Sequence, residues 1–390
     1  MTLADFKYGD TIHRCFRCGY CKFPLNWADV NNCPPYARFR LETFSCGGRL
    51  WSTRAWLSGD IEWSEHLAQI LYSCTDCKNC EVKCPFRFNV DIVNMITAAK
   101  SEMVERGKIP AAVKEFLGNV QRQGNPYGKA RSKRGEWKEG IAVEQYQGQD
   151  FLYYVGCEGS YDTRAQRSAR ALAKVLQKAG VSFGVLGNEE NCDGNEVGKL
   201  GEEALFEMLA EDNISQFKNL GVKKIVALSP HSYNAMKNDY PKHDGKFKVL
   251  HYTQLLQNLI NEGKLKISGD LHAKVTYHDP CFLGRWNGEY DAPRAILASV
   301  PGIQVVEMEK AKVSALCCGG GGGNFYIDSL GGSEDSPARR RVREANETGA
   351  NILAVACPNC LTMLEDAVKA EGLESSLTVK DISEIIEEVL

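Results

Sequence analysis

Sixteen cysteines fall in a chain of 390 residues, and their spacing is the feature most able to do chemistry. Nine lie between Cys15 and Cys84; the others are Cys157, Cys192, Cys281, Cys317, Cys318, Cys357 and Cys360. Cys74-x2-Cys77-x2-Cys80-x3-Cys84-Pro85 is a run in which three thiolates from one tight loop grip three corners of an iron–sulfur cube. In such runs the fourth cysteine ligates a second cube. Upstream, Cys15-x2-Cys18-x2-Cys21 repeats the triplet, with its fourth member displaced to Cys33-Pro34. Crossing the ligands assigns Cys15, Cys18, Cys21 and Cys84 to one [4Fe–4S] cluster, and Cys33, Cys74, Cys77 and Cys80 to the other. Structural zinc is the alternative, but zinc sites use cysteine pairs rather than triplets. The eleven residues between Cys21 and Cys33 exceed the compact spacing and weaken only the assignment of Cys33. Cys46 is left over and reads as a buried thiol.

A second constellation lies toward the C-terminus: Cys281, then Cys317-Cys318-Gly319, then Cys357-Pro-Asn-Cys360. Cys357 and Cys360 sit where a strand ends and a helix begins, so free amides and the positive helix end favour thiolates there. Gly319 to Gly323 lets backbone pass close to a bulky group, with Gly319 and Gly320 placed to donate N–H bonds to sulfur. No Gly-Lys-Ser/Thr follows, so the glycines are not a P-loop. A zinc site or buried thiols would be the bland readings, and adjacent Cys317-Cys318 is awkward for one tetrahedral zinc.

Composition narrows what surrounds these sites. Lys plus Arg total 47 against 50 Asp plus Glu, so no basic excess points to nucleic acid or an anionic membrane. The longest uncharged stretch near the cysteines, 313–327, holds five glycines and is shorter than the roughly 20 apolar residues a bilayer span needs. MTLADFKYGD has no apolar signal segment, so a soluble, cytoplasmic protein with reduced thiols is expected. Clustered thiols in that setting are metal ligands or redox centres more often than staples.

Ile92, Met95, Ile96, Ala99 and Met103 share one helix face, closed by Gly107 and Pro110. A helical cysteine-rich domain therefore takes residues 1–120. Residues 121–150 are polar and basic, including Gly128-Lys-Ala-Arg-Ser-Lys-Arg-Gly135, and read as a solvated linker. After Asp150, short apolar runs (151–155, 181–186, 224–228) alternate with amphipathic segments, which implies parallel strands with helical crossovers. The order then repeats with runs at 275–278, 303–307 and 352–356. Cys157 to Cys192 is 35 positions and Cys281 to Cys317 is 36; Cys192 to Ser229 is 37 and Cys317 to Cys357 is 40. This is a tandem duplication, 151–270 and 271–390. In the first copy Cys-Cys-Gly reads Cys192-Asp193-Gly194, and Cys-x-x-Cys reads Ser229-Pro-His-Ser232. Two thiols of five remain, with Asp193 and His231 as possible hard ligands. An empty, structural first site is expected; a cluster of mixed ligation, a flavin-edge contact or a bound partner group is the alternative, and His231 alone reads as a packing residue at a helix start.

These motifs, with Tyr277-His-Asp-Pro-Cys-Phe-Leu-Gly284 and Ala356-Cys-Pro-Asn-Cys-Leu-Thr-Met-Leu-Glu365, resemble the CCG domain of the B-type and D-type subunits of heterodisulfide reductase. They are similar too to iron–sulfur oxidoreductases that accompany electron-transferring flavoproteins. A homologous soluble subunit is found with tungsten-dependent benzoyl-CoA reductases. The resemblance implies a multidomain chain: an α-helical ferredoxin module with two [4Fe–4S] sites, then two tandem α/β CCG units, the first degenerate. It further implies a third [4Fe–4S] cluster, cubane or non-cubane, on Cys281, Cys317, Cys318, Cys357 and Cys360. The function implied is an electron-transfer subunit of a soluble oxidoreductase, between a flavoprotein or ferredoxin partner and a catalytic or quinone-linked one. The alternatives are a thiol–disulfide reductase with the CCG cluster as active site, and a zinc-stabilised adaptor.

Overall fold

A computed structural model describes residues 2–22 and 32–390. Most of the link between Cys21 and Cys33 lies outside the described residues. The N-terminal part is helical: Cys46–Ser58, Glu65–Tyr72, Ile92–Glu105 and Ala111–Gln123 are its longest helices. Ser45 and Ser64 start the first two of these by accepting from Gly48 N at 3.0 Å and Leu67 N at 3.1 Å, the usual satisfaction of free helix amides. The apolar face read from Ile92 to Met103 is buried, packed with Leu50, Leu71, Phe116 and Val120.

Two four-stranded parallel sheets follow. The first comprises β1 (Phe151–Tyr154), β2 (Phe183–Gly184), β3 (Lys224–Ala227) and β4 (Lys248–His251), in the order β2-β1-β3-β4. The second comprises β5 (Ala273–Tyr277), β6 (Ile303–Val306), β7 (Ile352–Val355) and β8 (Thr378–Asp381), in the order β6-β5-β7-β8. The duplication seen in the cysteine spacing is thus a duplication of topology. β4 and β8 were not foreseen, because Lys248-Val-Leu-His and Thr378-Val-Lys-Asp are short edge strands with a polar residue at each end. In each sheet, strands β1 and β5 lie between their neighbours, and the chain order reverses there. Ligands of open α/β sheets sit at that switch point, beyond the carboxyl ends of the strands. Cys157, Cys192 and Ser229 follow the first three strands of one sheet; Cys281, Cys317 and Cys357 follow those of the other.

The two sheets share one apolar core, in which Leu152, Val226 and Tyr252 of the first repeat join Val275, Ile382 and Ile386 of the second. The helical part packs on the first repeat, with Met95 and Phe116 in one cluster with Cys157, Val197 and Leu200. Buried Lys100 secures this seam, pairing with Asp76 at 3.2 Å and donating to the Lys199 carbonyl at 3.1 Å. The expectation of a solvated linker over residues 121–150 is corrected in its middle. Arg134 and Trp137 are each 1% exposed, because Glu190 neutralises the guanidinium at 3.0 Å and Tyr153 receives the indole edge-on. No helix among the described residues is long and apolar enough to cross a membrane.

Candidate metal centres

The structure groups the cysteines into three neighbouring sets. Cys15 and Cys84 lie within electrostatic reach of Cys18 and Cys21, with Cys18 exposed at the surface. A small pocket is walled by Cys33, Cys74, Cys77 and Cys80, with Pro34, Val93 and Ile96 as apolar lining. Four sulfurs around an apolar lining are the donor set a cubane takes, and the guanidinium on the wall, Arg49, donates to Cys33 Sγ at 3.8 Å. Burial pushes the Cys33 thiol up to about 11 and raises Cys74 as well, so binding metal there must displace protons.

Cys46, which spacing alone left without a role, lines the same pocket and is hydrogen-bonded to both Cys21 and Cys80. It therefore stands between the two N-terminal sets. Its thiol is pushed well up, first by those two sulfurs and then by burial, and it lowers Cys21 to about 7 by donating to it. Sequence reasoning had no signal for this, since Cys46 belongs to neither triplet.

The third set is buried at the carboxyl ends of β6, β5 and β7. Cys360 Sγ lies 3.3 Å from Cys318 Sγ. Gly319 N donates to Cys317 Sγ at 3.3 Å, and Gly320 N to Cys318 Sγ at 3.5 Å. Gly319 has φ +96°, a backbone state open chiefly to glycine. The next glycines serve a different end. A Cβ on Gly321 would sit 2.5 Å from Thr75 O and one on Gly322 2.4 Å from Cys74 O, so the loop abuts the 74–77 loop of the helical part. Arg285 ties the same seam by donating to Cys77 O at 2.5 Å, and Trp286 Nε1 donates to Asp76 O at 2.8 Å. In consequence Cys77, Cys281 and Cys317 pack in a single cluster roofed by Phe282. The Cys77 thiol is in hydrogen-bond contact with Cys317, which raises it well above its usual value.

Two imidazoles approach this set. His278 has a ring nitrogen within 4.8 Å of the sulfurs of Cys318 and Cys360, and burial drives its pKa down to about 3. His231, from the first repeat, contacts Cys357; its Nδ1 is 2.6 Å from Glu196 Oε1 and its ring lies 4.2 Å from that of Phe282. Burial would raise the Cys357 thiol, but hydrogen bonds from Cys360 and His231 outweigh it and hold the group at about 5. His231 does start a helix, as its sequence position implies, yet it reaches across to the other repeat.

In the first repeat the five-sulfur arrangement is gone. Ser232 Oγ donates to Asp193 Oδ2 at 2.7 Å, Ser229 Oγ caps its helix by accepting from His231 N at 3.2 Å, and Tyr240 donates to the Asp193 carbonyl. Cys157 and Cys192 are hydrogen-bonded to each other, with Arg134 Nη2 3.5 Å from Cys157 Sγ. Every group replacing a cysteine has found a protein partner.

Comparisons with known proteins match the succession of a helical part and two repeats. Residues 11–88 match the 4Fe-4S dicluster domain, so the helical part carries two 4Fe-4S clusters, and residues 151–237 and 275–365 each match the cysteine-rich CCG domain. The chain is 38% identical over 340 residues to a probable iron-sulfur-binding oxidoreductase, FadF, of Bacillus subtilis, covering 85% of this chain and 47% of the relative. It is 38% identical over 332 residues to the EtfAB:quinone oxidoreductase of Syntrophomonas wolfei, covering 82% and 46%. Against the D-type subunit of the dihydromethanophenazine:CoB–CoM heterodisulfide reductase of Methanosarcina barkeri it is 32% identical over 408 residues, covering 97% and 94%. The chain thus spans about half the length of the first two relatives and nearly all of the third.

Proposed function

Because the chain belongs to the CCG-domain iron–sulfur family that includes the D-type subunits of heterodisulfide reductase, we propose that it is an electron-relay subunit of a larger oxidoreductase. One observation carries the reading: Cys77 of the helical part is in contact with Cys317 of the second CCG unit. Under it, Cys15, Cys18, Cys21 and Cys84 hold the outer [4Fe–4S] cluster, and Cys33, Cys74, Cys77 and Cys80 the inner one. Cys281, Cys317, Cys318, Cys357 and Cys360 hold a third. When bound, such clusters supply one-electron carriers whose potentials follow burial and hydrogen bonding to sulfur.

The chain's own residues then set path and environment. Cys46 bridges the outer and inner sets through Cys21 and Cys80, and the Cys77–Cys317 contact continues the line to the third. Exposed Cys18 places one end of that line at the surface. Gly319 and Gly320 amides and Arg49 direct donors at sulfur, while Phe282 and Trp286, stacked with centroids 5.3 Å apart, keep water from the seam. A flavoprotein or another iron–sulfur protein is the partner class this path suits. Disulfide reduction by the chain alone is disfavoured by the Asp193–Ser232 pair, which leaves a single CCG centre where that chemistry would call for two.

The test is anaerobic purification with metal analysis and EPR during stepwise reduction. The relay reading expects iron without stoichiometric zinc, and spin–spin broadening once neighbouring centres are both reduced. Zinc in place of iron would show a structural adaptor, and robust turnover of small disulfides with a viologen donor would show a thiol–disulfide reductase.

A further inference from the structure

His278 follows β5 and is 1% exposed, three residues ahead of Cys281. Its Nδ1 lies 3.1 Å from Arg341 Nε. A guanidinium has hydrogens to give and no lone pair to offer, so Nδ1 is the accepting nitrogen and the ring's single N–H is on Nε2. Arg341 is itself held by Glu344 at 2.6 Å and by the Lys310 carbonyl at 2.9 Å, so this tautomer is fixed by a buried scaffold. Nε2 has no hydrogen-bond partner among the described residues. With Nδ1 committed to Arg341, Nε2 is the nitrogen left to face the sulfurs of Cys318 and Cys360, a group gathered within 4.8 Å.

These three residues could be taken for a mononuclear metal triad, but the tautomer argues otherwise, because a nitrogen that carries a proton cannot also donate a lone pair to a metal. We propose that His278 is a positioning residue of the CCG centre, donating from Nε2 to the thiolates of Cys318 and Cys360 rather than ligating metal. The inference rests on the third cluster of the proposed function. A donor aimed at thiolate sulfur favours the more negative, reduced state and so raises the centre's potential. The first CCG unit supplies a control. Three residues ahead of Cys157 stands Tyr154, whose hydroxyl donates to the Asn191 carbonyl at 2.5 Å. Where Asp193 and Ser232 stand in place of the Cys318–Cys360 pair, the position matching His278 holds no imidazole.

The test uses the full, anaerobically purified, cluster-loaded chain. In His278→Phe, iron and sulfide per chain should stay at the wild-type level while the midpoint potential of the CCG centre shifts to a more negative value. His278→Gln, which restores an N–H donor, should recover part of that shift. Wild-type protein grown with 15N-histidine needs no variant: it should show a weak nitrogen coupling together with an exchangeable proton at the CCG centre. Comparison with His231→Asn removes the contribution of the imidazole beside Cys357. An unshifted potential in iron-complete His278→Phe, or a coupling of the strength of a directly bound imidazole, would overturn the inference and leave the relay intact. Absence of any CCG signal in the wild type would overturn both.

Discussion

In the second CCG unit Cys360 meets Cys318 at 3.3 Å; at the matching places in the first, Ser232 meets Asp193 at 2.7 Å. The backbone around the two pairs is alike at two points. Gly194 and Gly319, each following the altered position, have φ +81° and +96°, and Pro230 and Pro358 each open the helix that follows. What differs is how buried polar atoms are satisfied. Sulfurs gathered without metal carry thiols that burial and mutual contact pull apart in acidity, some well up and some well down. In the first unit the residues that replace cysteines are instead hydrogen-bonded within the protein. The comparison shows that a duplicated fold can lose three of its five cysteines without losing its strand order. It then lends side chains to its sister: Glu196 of the first unit accepts from Gly323 N and positions His231 against Cys357.

The largest effect should come from exchanging the two sites. Cys318→Ser is expected to lose about four irons per chain, the content of one cluster, and to loosen the second unit because metal binding is coupled to folding. Cys192→Ser should leave iron content unchanged. The reverse exchange, Asp193→Cys, Ser229→Cys and Ser232→Cys together, rebuilds five thiols around Cys157 and Cys192 and should gain iron. Metal analysis with EPR reads all three; iron lost from Cys192→Ser would show that the first unit holds a cluster after all.

Next in size is the ion pair that seals the first unit. Arg134 and Glu190 are 1% and 2% exposed, and Glu190 also accepts from Val155 N and Gly156 N at 3.0 Å. Arg134→Met strands a buried carboxylate, which costs about 3–5 kcal/mol. Denaturant melts should show that loss with cluster content retained until unfolding. A change below about 1 kcal/mol would mean that the pair is solvated.

Much of this contrast was legible from residue types alone. The ferredoxin triplets, the repeat of about 125 residues and the loss of three cysteines from the first copy all follow from covalent spacing, which folding cannot alter. Contacts between distant segments were not legible. That His231 reaches Cys357, that Cys46 stands between Cys21 and Cys80, and that Arg134 turns inward depend on how the three parts pack. A single chain gives no period or local pairing that encodes such packing. His278 was visible within Tyr277-His-Asp-Pro-Cys281, but its role depends on Arg341, 63 residues later.

The smallest predicted effect concerns the residue after each repeat's first cysteine, Glu158 in the first unit and Phe282 in the second. Glu158 accepts a hydrogen bond from Tyr326 and is buried near Asp193 and His231. Burial, followed by the charge of Asp193, raises its pKa from 4.5 to about 7. The folded state therefore binds this proton more tightly than the unfolded chain does. Its contribution to stability is complete below pH 4.5 and is lost as pH rises through about 7. The span corresponds to at most about 3 kcal/mol. Stability measured against pH should fall across that window in wild type, and the fall should flatten in Glu158→Gln, which keeps the hydrogen-bonding shape without the proton. An equal slope in both proteins would assign the pH dependence to another group.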